Sequence, residues 1–206
     1  MEKGNTKQEI LEAALDLFST QGFEATSVSQ IADAVGIRKA SLYSHFASKQ
    51  EILESLMTQV LEQYNKHSIF IHTDWDNAAF AEAKQNLSAE EVEQLVFTQI
   101  RYILHDPLAS KARKMLTIEQ FRNAQMAELQ TKQNYTNVMK YFTNLMRFFI
   151  QRGKLKDGDA EIMAAQLCLP VSVWINLCDR EPEREDEVIE LVGRHIRQFF
   201  EMYKEQ

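Results

Sequence analysis

Gly36 stands between two short amphipathic stretches, and no other feature limits what this chain can fold into as strongly. On its N-terminal side Val28, Ile31, Ala32 and Val35 recur at i, i+3, i+4 and i+7. That spacing stacks them along one side of a helix and leaves Ser29, Gln30, Asp33 and Ala34 nearer the surface. Ser27 and Gln30 have the spacing of a capping box, in which each side chain holds the other's backbone N–H, and so start that helix. A glycine just past the helix adopts a positive φ at no steric cost and turns the chain sharply. Ile37 then plugs the corner. The second helix buries Leu42 and Phe46 at i, i+4 and turns Arg38, Lys39, Ser41, Tyr43, Ser44 and His45 outward. That outer face carries donors, cations and a phenol, and no acid. Ser48 and Glu51 repeat the capping-box spacing, so a further helix starts at once.

Two helices crossing steeply over a short glycine turn can lay the second, N-terminus first, into a major groove about 12 Å wide. The exposed side chains suit that use. Arg38 and Lys39 can donate to guanine edges, Ser41 serves either kind of base, and Tyr43, His45 and Lys49 reach phosphates. Geometry alone leaves open a plain helical pair with a solvated polar face.

The run LYSHFASKQEIL, preceded by TSVSQIADAVGI, resembles the N-terminal domain of the tetracycline-repressor-like (TetR/AcrR) family of bacterial transcriptional regulators. KQEILEAALDLFSTQGFEATSV resembles that family's opening, so the first quarter of the chain carries the motif. LTIEQFRN (Leu116 to Asn123) and the closing HIRQFFEMY look like one branch of the family. The resemblance implies an all-α protein, with a three-helix helix-turn-helix DNA-binding domain over residues 1–47 and a larger helical effector-binding and dimerisation domain over residues 48–206. It implies a homodimer on a palindromic double-stranded DNA operator, most often a repressor, answering to a small-molecule effector. The expected DNA-binding set is Ser27, Arg38, Lys39, Ser41, Tyr43, Ser44, His45 and Lys49.

A net charge of −7 runs against an ordinary nucleic-acid binder. Residues 1–50 hold 5 Lys or Arg against 6 Asp or Glu, so any basic surface is local to Arg38, Lys39, His45 and Lys49, and two copies on one duplex are needed for useful affinity. Lys3 and Lys7 are close enough in sequence to assist with phosphate. Thr6 and Glu9 are spaced as a capping box for the first helix, whose apolar face of Ile10, Ala13, Ala14, Leu17 and Phe18 ends at Gly22. A wide stripe of Ile52, Leu53, Leu56, Met57, Val60 and Leu61 follows Ser48.

The segment from His67 to Asn86 loses periodicity. His67 and His72 with Asp74 and Asp76 match no firm ligand spacing, so a solvated loop is expected, with no metal and no cofactor. Ser88 and Glu91 cap the next helix, and further helices are expected over Leu108 to Phe121 and Met126 to Arg152. The last two, Asp159 to Cys178 and Glu183 to Tyr203, differ: the first is apolar nearly all round and needs cover on every side, the second is amphipathic. In the resembled family they form a four-helix bundle with their copies in a second subunit. Pro170 leaves the Gln166 carbonyl without its helical donor and predicts a kink beside Trp174.

An effector pocket is expected among Phe97, Arg101, Met115, Glu119, Phe121, Arg122, Tyr141, Phe142 and Trp174, because charges among apolar helix positions need partners. The competing reading pairs Glu119 with one of the two arginines as a tie between helices. Cys168 and Cys178, about 15 Å apart on one helix, read as buried hydrophobes in a reducing compartment. No apolar leader follows Met1, and the run Ile162 to Cys178 falls short of a membrane span, so a cytoplasmic protein off the membrane is expected. A helical enzyme is the alternative, as is an adaptor without DNA. No HExxH, phosphate loop or GxSxG occurs, and the five histidines are scattered, so the chain reads as no enzyme.

Overall fold

The computed structural model describes residues 3–73 and 87–205; His72's side chain and the predicted loop residues Asp74, Trp75 and Asp76 lie outside the described residues. The fold is all-α. The helices are α1 (Lys3–Gln21), α2 (Val28–Val35), α3 (Lys39–Tyr43), α4 (Lys49–His67), α5 (Ile69–His72), α6 (Ala89–His105), α7 (Pro107–Glu119), α8 (Ala124–Thr131), α9 (Asn137–Gln151), α10 (Ala160–Arg180) and α11 (Glu185–Tyr203). A π-helical turn, Lys132–Thr136, leads into α9, and a 3-10 turn, Pro182–Arg184, leads into α11. Among the described residues, β pairing is limited to one isolated antiparallel bridge, Leu155 with Lys204.

Local chemistry sets most boundaries. Ser27 accepts the Gln30 N–H while the Gln30 side chain accepts the Ser27 N–H, and Gly36 closes α2 in the left-handed region at φ 74°. Ser88 and Glu91 make the same reciprocal pair before α6. Before α4 the box is displaced: Ser48 Oγ accepts the Glu51 N–H, but the Glu51 carboxylate reaches back to the Ala47 N–H. The first helix differs from expectation, beginning at Lys3 with Thr6 inside it, where Asn5 and Glu9 pair one turn apart.

Packing draws the line between compact units away from residue 47. One unit comprises Met1–His67 with His105–Gln130, the other Ser68–Leu104 with Thr131–Gln206. In the first, Ile10, Ala14 and Phe18 of α1, Ile31 of α2, Leu42 of α3, Phe46, and Ile52, Leu53 and Leu56 of α4 share one core with Met115 and Leu116 of α7 and Met126 of α8. The apolar face of α1 is therefore covered by α7 as well as by the reading helices. Burying each large side chain there stabilises by about 1.5–3 kcal/mol.

The second unit is built on α9, whose buried face runs from Met139 through Tyr141, Phe142, Leu145 and Met146 to Phe149 and packs on α10. Burial pushes the Tyr141 hydroxyl up to about 12. Ala160–Arg180 runs unbroken for 21 residues through Pro170. Near the proline, side chains serve carbonyls: Ser172 Oγ donates to Leu169 O at 2.7 Å, and His195 Nε2 lies 3.0 Å from Leu167 O, which places the ring proton on Nε2. By length and composition this helix is long and apolar enough to cross a membrane, contrary to the shorter run read from sequence, with only 33% of its 18-residue apolar window buried. The core helix of a soluble protein passes the same test. Cys168 packs 3.7 Å from the Met139 sulfur, and burial pushes its thiol up to about 12.

Gly22 and Gly36 both have positive φ, but their surroundings differ. A Cβ on Gly22 stands 2.7 Å from Glu119 Oε1, whereas one on Gly36 meets nothing within 4 Å. Gly36→Ala is expected to cost about 1–2 kcal/mol of unfolding free energy from backbone strain alone, and Gly22→Ala more, as measured by urea titration. With its pKa raised from 9.0 to about 12, Cys168 keeps about a thousandfold less thiolate at neutral pH. Ellman's reagent is expected to leave the native thiol unmodified and to titrate it when the chain is unfolded.

Candidate nucleic-acid interface

The face predicted to read DNA is assembled largely as its residues suggest. Leu42 and Phe46, 0% and 1% exposed, pin α3 into the core of the first unit, and Arg38, Lys39, Ser41 and Tyr43 stand outward. Arg38 occupies the N-cap position without capping through its side chain, so its guanidinium is left for other partners. His45 is half-buried beyond the end of the helix. Ser44 is exposed, but its hydroxyl donates to the Ser41 carbonyl at 2.7 Å. Ser27 accepts the α2 cap bond and keeps its O–H as a donor. Lys7 rests its ammonium 5.0 Å from the centre of the Phe46 ring, beside this face; the Lys3 side chain lies outside the described residues.

Lys49 belongs to a different structure. Its Nζ donates to the carbonyls of Phe23 at 2.6 Å and Thr26 at 2.8 Å and lies 4.1 Å from the centre of the Phe23 ring. Two of the three ammonium protons are thereby engaged by carbonyls of the turn rather than left for phosphate. Glu119 completes the arrangement from the other direction, since its Oε1 accepts the Phe23 N–H at 2.8 Å. Neither expected partner, Arg101 or Arg122, takes that role; both are exposed. The sequence reading missed this site, which joins residues 96 positions apart.

The nine residues expected to line one pocket are divided between the two units. Met115 and Glu119 are buried in the first unit, while Phe97, Tyr141, Phe142 and Trp174 belong to the second. The periodicity of the LTIEQFRN segment suggests a helix through Phe121, but α7 ends at Glu119, whose carbonyl accepts the N–H groups of Arg122 and Asn123. That turn swings Phe121 out to 90% exposure and Arg122 with it. In the second unit Tyr141 and Phe142 meet edge to face at 5.3 Å, with Phe70 against both. Phe97 packs at Gly193, where α6 and α11 approach closely, and Trp174 stands edge-on to His195 at 5.4 Å. An open depression of about 350 Å³ lined by Arg147, Asp157, Asp159 and Glu161 includes none of the nine. Among the described residues, no three His, Cys, Asp or Glu side chains gather as a metal site.

Residues 10–56, which contain this face, match the sequence profile described as bacterial regulatory proteins, tetR family. The chain is 34% identical over 92 residues to the HTH-type transcriptional repressor KstR2 of Rhodococcus jostii, a match covering 44% of this chain and 45% of that protein. It therefore spans less than half of that relative. Against the HTH-type transcriptional regulator UidR of Escherichia coli it is 24% identical over 179 residues, 86% of this chain and 83% of the relative. A TetR-family transcriptional regulator from Mesorhizobium loti superposes with a TM-score of 0.64 at 16% identity over 99% of both chains. SmeT, the repressor of a Stenotrophomonas maltophilia multidrug efflux pump, solved as a complex with triclosan, superposes with a TM-score of 0.60 at 20% identity over 98% of this chain and 93% of its own. The N-terminal segment thus matches the tetR family profile, and the fold along the rest of the chain is similar to that of TetR-family structures.

Proposed function

We propose that the chain is a ligand-responsive transcriptional repressor that acts in the cytoplasm as a homodimer on a palindromic operator. The observation that carries this reading is the acid-free exposed face of Arg38, Lys39, Ser41 and Tyr43 on a helix pair turned at Gly36, inside the segment that matches the family. Arg38, Lys39 and Ser41 are assigned to base edges. Tyr43, His45 and the free O–H of Ser27 are assigned to phosphates, and Ser44 joins them by turning its single proton away from the Ser41 carbonyl. Lys49 is assigned to the turn it holds.

Dimerisation is assigned to the uncovered side of α10. Ile162 and Val173 are 55% and 64% exposed and lie eleven residues apart, three helical turns, on one face. Val192 and Phe199 of α11 are buried inside the unit, so a charge there would unfold the protein rather than separate two copies. The effector is assigned to the aromatic second unit, around Tyr141, Phe142, Phe97 and Trp174, and the triclosan complex of SmeT is an instance of a small aromatic ligand on this fold. Such a ligand moves the operator equilibrium by no more than its differential affinity for the two conformers.

Fluorescence anisotropy with duplexes from the region upstream of the protein's own gene tests the reading. The wild type is expected to select one palindromic fragment, with affinity falling as salt rises; equal binding to all fragments would refute it. Lys39→Ala and Ser41→Ala are expected to cost about 1–3 kcal/mol on the operator and to relax base preference, whereas Tyr43→Ala weakens all sequences alike. Val173→Glu is expected to sediment as a helical monomer with operator binding lost; a dimer that binds normally would move the interface elsewhere.

A further inference from the structure

We propose that Glu119 is a positioning residue for DNA reading, acting through the turn between α1 and α2 rather than through any contact with DNA. This rests on the DNA-binding function proposed above. Phe23 lies in that turn, and its peptide groups are gripped from two sides. Glu119, the last residue of α7, accepts its N–H, and Lys49, the first residue of α4, donates to its carbonyl and to that of Thr26, immediately before the Ser27 cap of α2. The origin of the reading pair is thus tied to α7 and α4 by three short hydrogen bonds. Glu119 is 2% exposed, and a carboxylate taken that far out of water is a costly way to stabilise a turn. What it supplies is direction, because a charge-assisted hydrogen bond fixes one N–H at one place.

Gly22 is fitted to the same carboxylate. Its Cα faces Glu119 with no Cβ, and any other residue would push against Oε1 and against Ile118. At its other end α7 is tied to α1 by the Lys111–Asp16 ion pair, so α7 meets α1 through polar contacts at both ends of a packed apolar seam. A shift of α7 along or about its axis therefore displaces Phe23, and α2 and α3 follow as one body through Ile31, Ala32, Leu42 and Phe46. The exposed cations Arg38 and Lys39 travel with α3 in such a shift, and their number and exposure stay the same. Selectivity for a palindrome depends on where both reading helices sit, whereas attraction to any duplex does not.

Glu119→Leu keeps the volume and removes the acceptor; Glu119→Gln keeps a weaker acceptor. Each is compared with wild type on the operator and on a scrambled duplex by anisotropy, with thermal melts in parallel. If the wild type shows no preference between the duplexes, the DNA-binding function itself fails. Where it does, Glu119→Leu is expected to reduce the operator-to-scrambled affinity ratio about tenfold with scrambled binding and the salt slope unchanged. Glu119→Gln is expected to restore most of that ratio. A purely structural role lowers the melting temperature and leaves the ratio of the folded protein alone, so an unchanged ratio in folded Glu119→Leu overturns the proposal. Should that variant not fold, amide exchange of wild-type Phe23 decides. Its N–H is expected to exchange at least about tenfold more slowly with operator bound, and equal rates with and without operator overturn the proposal.

Discussion

A helix of five residues cannot hold itself together in water, because the entropy spent on its first turn is recovered only by further turns that α3 lacks. Its position is imposed from outside, by Leu42 and Phe46 buried against α1 and α4 and by the short connection through Gly36 to α2. Everything read from its exposed side chains therefore depends on a core that reaches well beyond the three-helix domain. Met115, Leu116 and Met126 contribute to that core from a stretch of chain some seventy to eighty residues further on. In energetic terms, the reading surface is a property of the unit formed by residues 1–67 and 105–130.

That dependence also explains what was legible in the sequence. The Ser27–Gln30 and Ser88–Glu91 boxes, the left-handed Gly36 and the burial of Leu42 and Phe46 follow from interactions spanning a few residues, and their spacing states them. The bonds of Lys49 and Glu119 were not legible because nothing within a few residues of either one specifies a backbone turn between Gly22 and Thr26 as its partner. A lysine next to a DNA-reading helix looks like a phosphate ligand until two carbonyls are found to occupy it. Phe121 failed for a different reason. An apolar periodicity does not say which turn of helix is the last, and two residues past the end of α7 the same side chain points into solvent.

Charge is distributed in keeping with this division of labour. The described cations of the reading face sit at Arg38 and Lys39 with Lys7 nearby, while residues 51–206 hold 18 Lys or Arg against 24 Asp or Glu. An acidic body repels a duplex at distances up to about a Debye length, roughly 8–10 Å at ordinary ionic strength. Only an approach that presents the reading face first brings the positive charges close enough to outweigh it. On the proposed function, orientation is thereby selected before any base is read.

If the partly uncovered face of α10 is the dimer contact proposed above, it sets how the protein counts its own copies. Where two protomers must meet before either reads DNA, the concentration of competent dimer in the dilute regime rises with the square of the concentration of chains. A twofold change in synthesis then becomes nearly a fourfold change in the species that occupies an operator. On that proposal Ile162 and Val173, remote from both DNA and effector, would determine the abundance at which that squared dependence gives way to a linear one.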